Sequence, residues 1–350
     1  MFPFQYIQIN IGVRIKVRIK VRIKMIPGYV ISMKYPDELL NSLPKYNIDA
    51  TWIKGVNGKA LKQQDINERA TTLWSYFGPR SAIGCAFAHM NAWKALLQSS
   101  SQYAVIVEED VYLEDDFNDQ LNLVLSNTPS NFDVLYLGCI ACEREETVYT
   151  KIFKLVGIAR DFKYVNDYVE QPSIAMATHC YVISRKGAEK LLQELDGKLF
   201  NHVDFCMQSL AKKNVIESYA AVKKIGFQTS TTDSSNSLNT SNFPLLLNKV
   251  LSHIRIAESV SLDYTMNLSL FRLGPFNVNL ISILFLFTGI VAKLYKVNIK
   301  TLIVGFFLFS SPDIYVGTSS SIIVFNMLIL LFPTLFPTLL TYTSKPPPSG

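Results

Sequence analysis

The stretch Tyr103–Val111 reads Y-A-V-I-V-E-E-D-V. Its first five residues, Tyr103 to Val107, are an apolar run too short for a helix, so the pattern predicts a buried strand. Glu108, Glu109 and Asp110 follow at once. Three carboxylates at one strand end repel one another, and stability alone does not call for them there. In an open α/β sheet the ligand crevice lies at the carboxyl ends of the strands. Carboxylates cannot hold a diphosphate directly, but they hold a hard divalent cation that can. The same acids also suit a solvated turn capping the next helix, because Glu114, Asp115 and Asp116 come next.

Upstream of this stretch, Arg80–Gln98 carries Ile83, Phe87, Met90, Trp93 and Leu97 at helical spacing. That helix would set Cys85, His89 and Trp93 on one face. On its own, such a histidine reads as a hydrogen-bonded core residue. Further upstream, Tyr29–Met33 and Ile48–Ile53 predict strands, Pro36–Leu43 a short helix and Leu61–Ala70 a polar one. Downstream, Phe117–Leu125 predicts a helix and Phe132–Gly138 a strand, followed by a polar loop at Glu143–Glu146. Ala177–Ser184 predicts a strand leading into a helix over Lys186–Leu195. His202–Leu210 predicts a short helix carrying Asp204, and Val215–Val222 a last strand. Strands alternating with helices imply an α/β fold with a mostly parallel sheet.

The 350 residues allow one large domain or two ordinary ones. The chain has 34 basic and 28 acidic residues. Six of the basic ones stand in the repeat V-R-I-K over residues 13–24, and removing them leaves 28 against 28. A neutral body argues against a nucleic-acid reader, which carries its charge in the folded domain. The repeat suits an edge strand, a disordered arm or a patch drawn to acidic lipid, and no apolar stretch marks a cleavable signal. Five scattered cysteines do not make a disulfide scaffold. Cys139 and Cys142 form a lone C-x-x-C that reads as small apolar residues at a strand end rather than a zinc site.

Residues 229–242 are rich in Ser, Thr and Asn and predict a linker. Sequons stand at Asn239 and Asn267. Beyond Arg272, Phe276–Ala292 is free of charge, Thr301–Ser311 is a shorter apolar run, and Ile322–Leu340 is the most apolar part of a charge-free end. These runs predict membrane attachment, multi-pass or tail-anchored, against the alternative of a helical subdomain packed on the rest.

Several motifs fall in one order, and together they resemble glycosyltransferase family 25, which holds lipooligosaccharide and collagen galactosyltransferases. They are the strand Tyr29–Met33, then W-I-K-G-V-N-G at Trp52–Gly58, G-C-A-F-A-H at Gly84–His89 and V-I-V-E-E-D-V at Val105–Val111. The strand Phe132–Gly138, T-H-C-Y-V-I-S at Thr178–Ser184 with Gly187-Ala188, and V-D-F around Asp204 complete the series. The resemblance covers about residues 28–230. Three departures stand out: Ala88 replaces a serine, no arginine follows the first strand within Lys34–Leu43, and Glu109 replaces an aspartate.

The resemblance implies a GT-A-like Rossmann-type fold binding a UDP-sugar, and transfer of a hexose, galactose above all, with inversion. The acceptor would be a glycan or a hydroxylysine-type side chain. It implies a divalent cation, manganese or magnesium, on the diphosphate. Asp110 is the first choice of metal ligand and Glu108 the second. Asp204 is the candidate base for the acceptor hydroxyl, or else completes the metal shell. Gly84, His89, Glu109 and His179 would face the donor. The implied layout is an arm at 1–27, a transferase domain at 28–230, a linker at 231–275 and an apolar tail at 276–344. Two rival readings use the same residues: an inert membrane-bound glycan-binding relative, and a metal-dependent phosphohydrolase or nucleotidyltransferase.

Overall fold

A computed structural model of the chain describes residues 4–11, 15–22, 25–228, 243–257 and 260–336. The expected linker at 229–242, with Asn239, and the end of the apolar tail beyond residue 336 lie outside these. The V-R-I-K repeat adopts the strand reading. Ile15–Arg22 pairs antiparallel with Phe4–Ile11 in a two-stranded sheet separate from the central one.

Strands β1 (Ile26–Ser32), β2 (Ile48–Lys54), β3 (Tyr103–Glu108), β4 (Val134–Ile140), β5 (Lys163–Tyr164), β6 (Val169–Gln171), β7 (Met176–Ser184) and β8 (Ser218–Ala221) form one sheet. Its order is β2-β1-β3-β7-β4-β8-β6-β5. β1 runs parallel to β2 and β3, and β4 parallel to β8. β7 opposes both β3 and β4, while β6 opposes β8 and β5. Six strands thus share a direction and two oppose it. This mixed, mostly parallel sheet fits a Rossmann-like fold.

Both faces of β3 are covered, as a continuous apolar strand requires. Ala104 and Ile106 pack on one core, with helices α1 (Arg80–Gln98), α3 (Arg185–Leu195) and α4 (Val203–Lys212). Val105 and Val107 pack on the other, with α2 (Phe117–Asn127) and the turn Leu43–Tyr46. Helix α1 is the backbone of the first layer. Its last carbonyls, which lack helical partners, accept from the Arg185 guanidinium: Nη2 reaches the Leu96 oxygen and Nη1 the Leu97 oxygen, both at 3.0 Å. Gly84 lies where α1 crosses the loop after β2, and a Cβ there would sit 2.3 Å from the Val56 oxygen. Gly187 meets the end of the loop before β4 in the same way, 2.2 Å from the Asp133 oxygen. Cys139 and Cys142, read as small apolar residues at a strand end, are joined in a disulfide across a Cα separation of 6.0 Å.

The membrane expectation is corrected here. Among the described residues no helix is long and apolar enough to cross a membrane. The run Phe276–Ala292 is split, because Phe276–Val278 pairs with Phe271–Leu273 in a hairpin. Only then does α5 (Leu280–Leu294) begin, and its 15 residues span roughly 22 Å against a hydrocarbon core of about 30 Å. The second run falls in an 11-residue helix, Ile299–Phe309. The last falls in α6 (Ser320–Leu335), a helix of 16 residues that ends at Leu335. Part of their apolar surface is used on one another. Phe243, Phe306, Ile323 and Leu330 form a small core. A Cβ on Gly289 of α5 would lie 2.0 Å from the Leu330 oxygen of α6, so the two helices meet in backbone-close contact.

Candidate active site

The cleft opens at the end of the sheet where β3 and β4 finish and β7 begins. Its volume is about 170 Å³, and Glu108, Ile140, Met176, His179 and Asp204 line it. This is the edge at which open α/β sheets bind ligands.

Glu108 is the last residue of β3 and falls on the same face as Ala104 and Ile106. Its side chain retains 19% exposure. Oε1 accepts from the Thr178 hydroxyl at 2.7 Å and meets His89 Nε2 at 3.3 Å. Burial pushes the Glu108 carboxyl up, but the hydrogen bond and charge of His89, the Thr178 hydroxyl and the charge of His179 outweigh it and leave it below its usual value. His89 is fully buried on α1. Its Nδ1 lies 3.0 Å from Tyr181 Oη, an oxygen that accepts from the Trp93 indole N–H at 2.8 Å. His89 therefore stands behind Glu108 and does not itself line the cleft.

Asp110 lies in the turn after β3. Its Oδ2 accepts from the Gln228 amide at 2.7 Å, because Gly226–Gln228 pairs with Val111–Leu113 and brings Gln228 alongside. Burial, then the charge of Glu108, push the Asp110 carboxyl up to about 6. Glu109 turns the other way, as strand alternation requires. It accepts from Ser32 Oγ and from the Met33 N–H at 3.2 Å, at the end of β1. The acidic run is thereby divided. Glu114 and Asp116 pair with Lys223 at 2.9 and 3.0 Å and account for the solvated turn, whereas Glu108 and Asp110 face each other's charge.

His179 is 4% exposed. Nε2 lies 3.3 Å from the Gly226 carbonyl oxygen, which can only accept, so Nε2 carries the proton and Nδ1 a lone pair. Nδ1 has no hydrogen-bond partner among the described residues. Burial holds the ring below the usual histidine value, against the charge of Glu108, and keeps it neutral. Gly138 makes this placement possible, since a Cβ there would stand 2.4 Å from His179 Nε2. Strict alternation would send Thr178 and His179 to opposite faces. β7 instead shifts register between Met176 and Cys180, and Ala177 takes φ +67°. The irregularity re-aims the strand, so Thr178 reaches Glu108 while His179 lines the same cleft.

Asp204 is in the first turn of α4. Its Oδ2 accepts from the Ala177 N–H at 3.1 Å and its Oδ1 from the Phe205 N–H at 2.8 Å, so two backbone donors hold it against the kinked start of β7. Tyr149, Tyr264 and Ser269 complete the wall. The last two belong to residues 243–275, read as linker, which hold the helices Leu245–Leu251 and Leu262–Asn267 and two short hairpins. Of the residues anticipated from sequence, Glu108, His179 and Asp204 thus share one cleft and Asp110 adjoins it through Gln228. Glu109, Gly84 and His89 stand outside its lining. Thr178, Tyr181 and Gln228 were not assigned roles. The first two sit within T-H-C-Y, but nothing local marks Gln228.

Comparison with known proteins now bears on this site. Residues 25–207, just over half of the chain, match the model for glycosyltransferase family 25 (LPS biosynthesis protein). The chain belongs to glycosyltransferase family 25. It is 26% identical over 196 residues to procollagen galactosyltransferase 1 of Danio rerio, covering 52% of this chain and 30% of that one. It is 25% identical over 169 residues to procollagen galactosyltransferase 2 of Homo sapiens, covering 45% and 25%. A Rattus norvegicus protein called probable inactive glycosyltransferase 25 family member 3 is 24% identical over 165 residues, covering 44% and 27%. The chain therefore spans only about a quarter to a third of the length of these relatives. The family-25 match ends at residue 207 and so includes Glu108, Asp110, His179 and Asp204 but not Gln228. A divalent cation fits the donor chemistry at Glu108 and Asp110, because two carboxylates whose charges disfavour each other are relieved by a hard cation.

Proposed function

We propose that this family-25 chain is an inverting hexosyltransferase that moves galactose from a UDP-sugar to a hydroxyl of a glycan or of a hydroxylysine-type side chain. The observation that carries this reading is that Glu108, His179 and Asp204 line one cleft at the carboxyl edge of the sheet, with Asp110 beside it through Gln228. The family and the names of its galactosyltransferase relatives supply the direction.

In this reading Glu108 and Asp110 hold a manganese or magnesium ion, which when bound would offset the diphosphate charge and stabilise the departing UDP. The chain's own groups do the rest. Thr178 and His89 fix the Glu108 carboxylate, and Gln228 fixes Asp110. His179 presents a neutral lone pair to a sugar hydroxyl. Asp204, oriented by two N–H donors, takes the acceptor proton as the hydroxyl attacks. Glu109, beside the end of β1, contacts the nucleoside half. Gly84 and His89 act on the donor side indirectly, Gly84 by letting α1 close on the loop after β2 and His89 through Glu108.

The test is release of UDP by the full chain, with manganese, from a panel of UDP-hexoses. UDP-galactose is expected to be turned over, and Asp110→Ala and Glu108→Gln to lose about 100-fold or more in rate. Cleavage of nucleoside triphosphates with UDP-sugars ignored, or turnover unchanged in both variants, would overturn the proposal.

A further inference from the structure

At the wall of the cleft stands a second set of donors, which shares Glu108 with the carboxylate pair and adds a thiol and an imidazole. Cys85 and His89 are four residues apart on α1, so their side chains sit on one face one turn apart. Glu108 ends the strand beneath them. Cys85 Sγ, one ring nitrogen of His89 and one carboxylate oxygen of Glu108 all lie within 4.8 Å of one another. His89 Nε2 and Glu108 Oε1 are 3.3 Å apart. That matches the nitrogen–oxygen edge of a tetrahedron whose bonds to zinc are about 2.0 Å, an edge of about 3.3 Å. Edges to sulfur are about 3.6 Å, so Sγ has at most about 1 Å to close.

We infer that Cys85, His89 and Glu108 form a three-ligand site for a zinc-class divalent ion whose fourth position faces the cleft. Cys85 and Glu108 both line that cleft, and a water or a substrate oxygen completes the coordination from there. Three protein ligands with one open position is the arrangement of reactive rather than purely structural zinc. The donor set is chemically distinct from the pair Glu108 and Asp110. Thiolate and imidazole favour zinc, whereas carboxylates alone favour magnesium or manganese.

The surroundings of His89 suit a ligand. A metal-bound imidazole donates its other N–H to an oxygen that orients it. Tyr181 Oη stands 3.0 Å from His89 Nδ1 and is itself held by the Trp93 indole N–H at 2.8 Å. With Nδ1–H donating to Tyr181, Nε2 keeps its lone pair for the ion. Without the ion, the Tyr181 O–H donates to Nδ1 and Nε2–H donates to Glu108. Loading the ion moves the imidazole proton from Nε2 to Nδ1, turns the Tyr181 O–H away from the ring and releases the Cys85 thiol proton to solvent. Glu108 is steadied in either case by the Thr178 hydroxyl at 2.7 Å.

The inference does not depend on hexosyl transfer, so its test reads metal alone. Cobalt(II) is titrated into the full chain under non-reducing conditions, with the Cys139–Cys142 disulfide intact, and the absorption spectrum is followed. One cobalt per chain is expected, with an intense near-ultraviolet thiolate-to-cobalt band and visible bands of tetrahedral strength. Cys85→Ser should abolish the thiolate band, while Cys180→Ser, Cys206→Ser and the double change at Cys139 and Cys142 should retain it. Tyr181→Phe should keep the band but weaken cobalt affinity about 10–100-fold. A spectrum without a thiolate band, a band that survives Cys85→Ser, or no stoichiometric uptake overturns the site. Turnover of UDP-galactose in any of these outcomes leaves the transferase reading standing on its own test.

Discussion

Asp110→Asn should make the metal-free protein more stable at neutral pH while removing its response to manganese. The side chain keeps its shape, and Asn Oδ1 can still accept from the Gln228 amide that lies 2.7 Å from Asp110 Oδ2. What disappears is a charge that the fold disfavours. Burial and the neighbouring Glu108 raise the Asp110 carboxyl from 3.8 to about 6. The native state thus binds this proton more tightly than the unfolded chain does. The associated stability is fully present below 3.8 and is lost as the pH rises through about 6. The displacement corresponds to about 3 kcal/mol at most, and partial contact with solvent reduces this to about 2 kcal/mol. Urea unfolding of wild type and variant in the presence of a chelator, at pH values below 3.8 and above 6, isolates the effect as a difference between the two proteins. The variant should match wild type at the acid end and exceed it by about 2 kcal/mol at the neutral end. Added manganese should then stabilise wild type and leave the variant unchanged. A variant that is less stable than wild type at neutral pH, or a difference that does not change with pH, would refute the reasoning that Asp110 is held against its own electrostatics for the sake of a cation.

Other consequences are independent of this one. Gly138→Ala places a methyl group where it would stand 2.0 Å from the Gly226 carbonyl oxygen and 2.4 Å from His179 Nε2; the ring and its carbonyl partner must both shift, and UDP release should fall by about 10-fold or more while the far-ultraviolet spectrum is preserved. Arg185→Met removes the donors to the Leu96 and Leu97 carbonyls and should cost about 2–3 kcal/mol in thermal or urea unfolding. Lys190→Met leaves the fully buried Asp133 without the ammonium now 2.5 Å away and should cost about 3 kcal/mol. Lys190→Arg should recover part of that loss. Gly289→Val drives a side chain toward the Leu330 oxygen, 2.0 Å from the Cβ position, and should lower the unfolding temperature by separating α5 from α6.

The stretch Tyr103–Asp110 carries much of the answer in its sequence alone. A short apolar run can be buried on both faces only as a strand within a sheet, and period-two alternation already sent Glu108 and Glu109 to opposite sides. The spacing along Arg80–Gln98 likewise placed Cys85, His89 and Trp93 on a common face. These are local properties, set by the 2.0 and 3.6 residue repeats of strand and helix, so they can be read from neighbours in the chain. The division of the acids between a cleft and an ordinary turn was not local: it depends on Lys223 and Gln228, more than 100 residues further along. Nor could alternation anticipate the irregular start of β7, where Ala177 leaves the strand conformation and lets Thr178 and His179 serve one site. The C-terminal runs failed as membrane spans for a related reason. Hydropathy counts apolar residues, but the length of a helix is set by where its hydrogen bonds begin and stop, and here the hairpin at Phe276–Val278 delays α5 and α6 stops at Leu335. Composition determined which residues seek burial and which repel one another; closure of the chain on itself decided which of them meet, because that choice is made between segments that share no local pattern.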